Sequence, residues 1–180
     1  MTQRPLRLGL ILLGGAVAFA PPAEAQRSGF IVGFGLGPGW ASYGPIQDRE
    51  PKTGIAFDFH IGGVIGDSFE LYYVQKVTFF EGEAVGVING FGVGGIGFGY
   101  WLNPRFSING AIGPGWWVDG RSGTTTTSEG FGGFSAGGRY LLSESGRWGL
   151  GFDITYAKPF DYDADFDALG MQFTMNLLSH

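Results

Sequence analysis

The chain has 180 residues, a net charge of -5, no cysteine, 35 glycines and 16% aromatic residues. Without cysteine there are no disulfides, no thiolate metal ligands and no thiol nucleophile, and no Lys/Arg cluster exists to neutralise the phosphates of a nucleic acid. Glycine stands at more than twice its usual share of about 7% without a Gly-X-Y period, which excludes collagen, and so many aromatics exclude disorder.

The N-terminus reads as a secretory signal peptide, residues 1–25. Arg4 and Arg7 precede an apolar stretch, Leu8 to Ala20, too short to span a bilayer as a helix, and Ala23-Glu24-Ala25 supplies a small-x-small cleavage pattern. The mature domain is then 26–180. No later stretch is continuously apolar for the length of a membrane helix. A period of two replaces it.

From Phe30 the even positions Phe30, Val32, Phe34, Leu36 and Trp40 are large and apolar, with glycine and other small residues between them. That alternation predicts a strand. The second strand sets Ile55, Phe57, Phe59 and Ile61 against Asp58 and His60, and the third sets Phe69, Leu71, Tyr73, Val77 and Phe79 against Glu70, Tyr72, Lys76 and Thr78. The fourth, over roughly 84–102, changes phase. Its apolar residues are odd at Phe91 and Val93 and even at Ile96, Phe98 and Tyr100, which predicts a β-bulge at Gly94-Gly95. The fifth carries Phe106, Ile108, Ile112 and Trp116, and the sixth Phe134, Ala136, Tyr140 and Leu142 against Arg139. The seventh and eighth alternate from Trp148 to Tyr156, around Asp153, and from Leu169 to Leu177.

Connections alternate in length. Gly66-Asp67-Ser68, Asn103-Pro104 and 143–147 are short, whereas 43–53, 80–83, 120–130 and 158–167 are longer. Such alternation predicts an all-β fold: an eight-stranded, antiparallel, up-and-down transmembrane β-barrel with short periplasmic turns and longer extracellular loops. The apolar face is almost free of charge, as lipid exposure demands, whereas a soluble lipocalin-like barrel would turn that face inward. Two aromatic girdles are expected, Tyr100, Trp101, Tyr140 and Trp148 near the turns and Trp40, Tyr43, Trp116, Tyr156 and Phe160 near the loops.

The pattern resembles the small outer-membrane barrels of the OmpA/OmpX type, including the opacity-protein-like group. It does so over nearly the whole mature chain, by architecture and without a diagnostic motif. The resemblance implies export through the periplasm, the barrel-assembly machinery as a partner, and outer-membrane lipid and lipopolysaccharide as surroundings. Many such barrels end in an aromatic residue; this chain ends Leu177-Leu178-Ser179-His180, with Phe173 the nearest lipid-facing aromatic. The class includes structural anchors, adhesins, narrow pores and lipid-modifying enzymes, so the fold leaves the function open.

The inward polar face supplies the candidate site. Asp58, His60, Glu70, Lys76, Arg139 and Asp153 place charges of both signs in one narrow lumen, where they are expected to pair into a plug. A gate that re-pairs these groups is the pore alternative. A lipid A-modifying enzyme would need a serine against His60. Asp161, Asp163 and Asp165 alternate in the last loop as in a weak calcium site, but Phe166 stands where a calcium loop needs glycine. Gly90-Phe91-Gly92-Val93-Gly94-Gly95 matches a dinucleotide-binding pattern, yet no helix follows it. No cofactor is expected. Thr124 to Thr127 are expected in an exposed polar loop, where a surface ligand could bind.

Overall fold

The computed structural model describes residues 29–44, 51–82, 86–121, 123–127, 132–142, 147–158 and 167–179. The signal-peptide segment and the Asp161, Asp163, Asp165 trio lie outside them. Ten strand segments follow in chain order: β1 (Gly29–Gly44), β2 (Lys52–Ile65), β3 (Phe69–Glu81), β4 (Ile88–Trp101), β5 (Phe106–Gly113), β6 (Gly115–Asp119), β7 (Thr124–Thr127), β8 (Gly133–Leu141), β9 (Trp148–Ala157) and β10 (Asp167–Ser179). Every pairing is antiparallel, and β1 pairs with both β2 and β10, so the sheet closes on itself. β5 with β6, and β7 with β8, occupy one wall position each, which makes eight wall strands.

The closure has a definite stagger. A path of facing residues leaves β1 at Val32, passes Ile61, Tyr73, Ile96, Ile112, Phe134, Tyr156 and Leu169, and returns to β1 at Ser42, ten residues further on. Such a stagger tilts eight strands by roughly 40° and leaves an interior that side chains fill. Closure also satisfies every strand edge, which lipid requires.

The expected bulge at Gly94-Gly95 is absent. Against β3 the register runs unbroken from Phe69↔Tyr100 to Glu81↔Ile88, and against β5 and β6 it runs from Ile96↔Ile112 to Val93↔Gly115. Pro114 divides β5 from β6 because it has no N–H to give, yet its carbonyl still accepts from the Gly94 amide at 3.1 Å. The phase of apolarity changes for another reason: the loop-side half of the lumen is itself apolar. Phe91 and Val93 are buried at inward positions, while Ile96, Phe98 and Tyr100 are exposed at outward ones.

A second difference concerns Thr124–Thr127, which form β7 and not a loop. They pair with β6 from Trp116↔Thr127 to Asp119↔Thr124. From Gly113↔Gly133 to Trp116↔Thr127 the fifth wall strand advances three residues and the sixth advances six. Among the described residues, this difference of three falls between β7 and β8.

Turn chemistry sets the narrow end. Gly66 takes a φ of +66°, a left-handed conformation that glycine adopts without a Cβ clash. Asn103 Oδ1 accepts from the backbone amides of Arg105 and Phe106 at 2.9 and 2.8 Å, closing the Asn103-Pro104 turn.

A closed polar lumen as the candidate functional site

Strand alternation sends one side-chain set outward and one inward. The outward set is apolar and exposed, among others Phe34, Leu36, Ile55, Leu71, Ile154 and Phe173. Large hydrophobics on all sides of a barrel have no soluble explanation; they form the surface of a transmembrane barrel. No helix among the described residues is long and apolar enough to cross a membrane.

Aromatics bound this surface. Tyr100, Tyr140 and Trp148 are exposed outward at the turn end. Trp40, Trp116 and Tyr156 stand at outward positions toward the loop end, against Phe173, Phe79 and Phe134 with ring centroids 5.8, 6.5 and 5.2 Å apart. Trp148 and Tyr156 lie eight residues apart on β9, about 26 Å of strand and roughly 20 Å of height at barrel tilt. Phe160 lies outside the described residues, Tyr43 departs from the expected girdle by packing on the apolar cluster inside the loop end, and Trp101 departs from it too. It is buried inside the barrel, where its indole Nε1 donates to Glu70 Oε1 at 2.7 Å. Its odd number on β4 places it on the same side as Gly99 and Gly97, a signal the sequence held.

The lumen has three levels. At the turn end Trp101, Leu141 and Leu178 form an apolar floor. At the loop end Ala41, Phe80, Phe91, Trp117, Ala157 and Ala168 form an apolar ceiling, with Tyr43 packed on it. The rings of Tyr43, Phe80 and Trp117 lie 4.8 to 5.8 Å apart, so they fill the mouth against one another.

Between floor and ceiling lie all six side chains expected in the polar lumen, each almost wholly buried. Lys76 is the centre. Its Nζ donates to Asp58 Oδ2 at 2.9 Å and to Asp153 Oδ2 at 2.8 Å. Because β3 and β9 are four wall strands apart in a ring of eight, Lys76 reaches across the full lumen. Arg139 Nη1 lies 3.6 Å from Glu70 Oε2, and Glu70 also holds Trp101, so the floor is tied to the charged level above it. His60 Nδ1 lies 3.6 Å from Asp58 Oδ1, and its ring tilts against Tyr72 at 5.2 Å.

Glycines make this packing possible. A Cβ on Gly33 would fall 2.1 Å from the His60 ring, and one on Gly97 would fall 2.1 Å from the Tyr72 ring. The missing side chains on β1 and β4 are the space these large ones occupy. Tyr72 completes its fit by donating its hydroxyl to the Phe98 carbonyl at 3.0 Å.

Several buried polar atoms make no hydrogen bond: Asp58 Oδ1, both His60 nitrogens, Asp153 Oδ1, Gln172 Nε2, Asn176 Oδ1 and the hydroxyls of Ser107, Ser135 and Thr155. Buried polar groups are costly unless hydrogen bonded. Chemically the arrangement is a strut of paired charges. No serine hydrogen bonds to His60, and among the described residues no group of three His, Asp or Glu side chains is placed to hold a metal ion. Sequence reasoning passed over Gln172, Asn176 and Tyr72 as lumen partners, though strand parity alone places all three inside.

The geometry defines the class: a small, closed, eight-stranded antiparallel transmembrane barrel. Solved structures of other proteins share this fold. The chain matches Ail, the attachment invasion locus protein of Yersinia pestis, with a TM-score of 0.57 and 11% identity, over 84% of this chain and 99% of Ail. It matches Neisserial surface protein A (NspA) with a TM-score of 0.52 and 13% identity, over 84% of this chain and 97% of NspA. A further structure of Ail, in complex with the heparin analogue sucrose octasulfate, matches with a TM-score of 0.54. At such identities the likeness is one of fold. Compared by sequence, the chain matches no protein-family model and no curated protein.

Proposed function

We propose that the protein is a bacterial outer-membrane barrel with a structural or surface-interaction role, exported after loss of its signal peptide, and that its lumen does not conduct. One observation carries this reading: the interior is closed three times over, by the Trp101–Leu141–Leu178 floor, the Lys76 strut and the aromatic ceiling. A conduit would need all three to move, and a lipid-directed hydrolase would need His60 outside the wall instead of behind it. What remains for interaction is the surface at the loop end.

That surface has a definite charge. The longer connections and their flanking residues (45–52, 81–87, 119–132 and 158–167) carry ten acidic and four basic residues. A polysulfated ligand like the one bound to Ail would meet like charge here, so the surface suits a cationic or neutral partner.

Outer-membrane fractionation with electrophoresis of boiled and unboiled samples tests the location. A heat-dependent mobility shift in that fraction is expected, and an unshifted soluble protein refutes the reading. Planar-bilayer recording tests the lumen. No unitary steps are expected from the wild type; stable steps that change with Lys76→Met would establish a pore.

A further inference from the structure

The lipid-facing wall has one polar interruption. Between the two aromatic belts, the outward positions of the described strands are apolar side chains, glycine, alanine or proline, with Tyr73 and Gln75 as the exceptions. Gln75 is the middle residue of β3, six from either end, and it is exposed. It faces Phe59 on β2 and Gly94 on β4. Neither offers its amide a side-chain hydrogen bond, and the described residues supply none. The Tyr73 hydroxyl leans toward the same spot: it is the nearest atom, at 3.6 Å, to where a Cβ on Gly94 would stand. An amide at mid-bilayer depth without a partner costs several kcal/mol. Glutamine here therefore needs an explanation.

The wall around it is low. Gly94 leaves the surface open beside the amide. Toward the turn end lies an apolar groove of about 430 Å³, lined by Ile61, Leu71, Tyr73 and Ile96 among others. Lipid chains fill grooves but hold no hydrogen-bonding atoms. A primary amide, by contrast, is its own complement, with donor and acceptor on one group. Two copies related by a two-fold axis satisfy each other with a reciprocal pair of hydrogen bonds, and small residues beside them let the walls approach.

We infer that the β2–β4 face centred on Gln75 is the contact surface of a symmetric dimer within the bilayer. The two Gln75 amides pair across the axis, and each Tyr73 hydroxyl flanks the pair. The inference rests on the bilayer reading above. The heat-dependent mobility shift is therefore measured on the same vesicles; its loss would refute insertion, and its presence isolates the dimer question.

The absence of cysteine makes the test clean. Single-cysteine chains, Ser68→Cys at a turn, are labelled with donor or acceptor dye and reconstituted in phosphatidylcholine vesicles over a range of protein-to-lipid ratios. Energy transfer should rise saturably with protein density. Gln75→Leu, which suits lipid better and leaves the lumen untouched, should weaken association by about tenfold, the effect of roughly 1–2 kcal/mol for a membrane hydrogen bond. Met175→Leu, three wall strands away on β10, should change nothing. Disulfide trapping gives an independent readout that keeps the amide: Tyr73→Cys should cross-link on mild oxidation and Met175→Cys should not. Wild-type energy transfer no greater than random proximity predicts would overturn the inference. So would a Gln75→Leu chain that associates as strongly as the wild type.

Discussion

The middle and the ceiling of the lumen are built on the same wall with opposite chemistry. In the middle, Asp58, Glu70, Lys76, Arg139 and Asp153 bury three negative and two positive charges in a space closed at both ends. At the ceiling, Phe80, Phe91 and Trp117 fill an equivalent cross-section with rings alone. The comparison teaches that a narrow barrel can be filled by either, and that the two respond differently to damage. A charged strut fails when one partner is lost, because the others are left buried and unpaired. An apolar plug loses only the volume removed.

The sharpest way to break the contrast is Lys76→Met. It strands Asp58 and Asp153 together and should cost about 3–5 kcal/mol, measured as unfolding in urea from lipid vesicles. Adding Asp58→Asn and Asp153→Asn to the same chain should recover much of that loss, since no charge is then left unpaired. A triple variant no more stable than the single one would mean that the strut acts through shape instead of charge. A smaller effect is expected at the boundary between floor and strut. Trp101→Phe keeps the ring but removes the hydrogen bond to the Glu70 carboxylate, which should cost about 1.5–3 kcal/mol and is read by the same titration. The smallest belongs to the ceiling. Phe91→Leu should cost less than about 1.5 kcal/mol and leave bilayer conductance at zero. Unitary currents in that variant would show that the aromatic ceiling alone holds the barrel shut.

The same division explains what the sequence made legible. Where the inside is polar, period-two alternation gives the face of every residue, and Asp58, His60, Lys76 and Asp153 fall inward by parity. Where the inside is apolar too, alternation of polarity vanishes while alternation of direction continues. Phe91 and Val93 then look like lipid-facing residues that have slipped by one, and a bulge seems needed when none exists. Trp101 misled for a related reason: an indole at a strand end fits a membrane belt as well as a lumen floor, and only its parity decides. The three-residue irregularity beside β7 left no such trace, because a polar threonine run reads equally as strand or loop. Pairing was beyond reach for a different cause. Lys76 meets Asp153 only because the ring brings β3 and β9 face to face, and no local pattern carries that.

Lys76 and Asp153 are 77 residues apart in the chain, and they come together only across a completed circumference. Neither can meet the other while the sheet is still an open ribbon. Asp58 is different: it faces Lys76 directly across β2 and β3, so a hairpin of those two strands already brings that pair together. The bond to Asp153 can form only once the ring is complete. Closure is therefore the step that gives Asp153 its partner, and a partly wound barrel keeps only the local half of the strut.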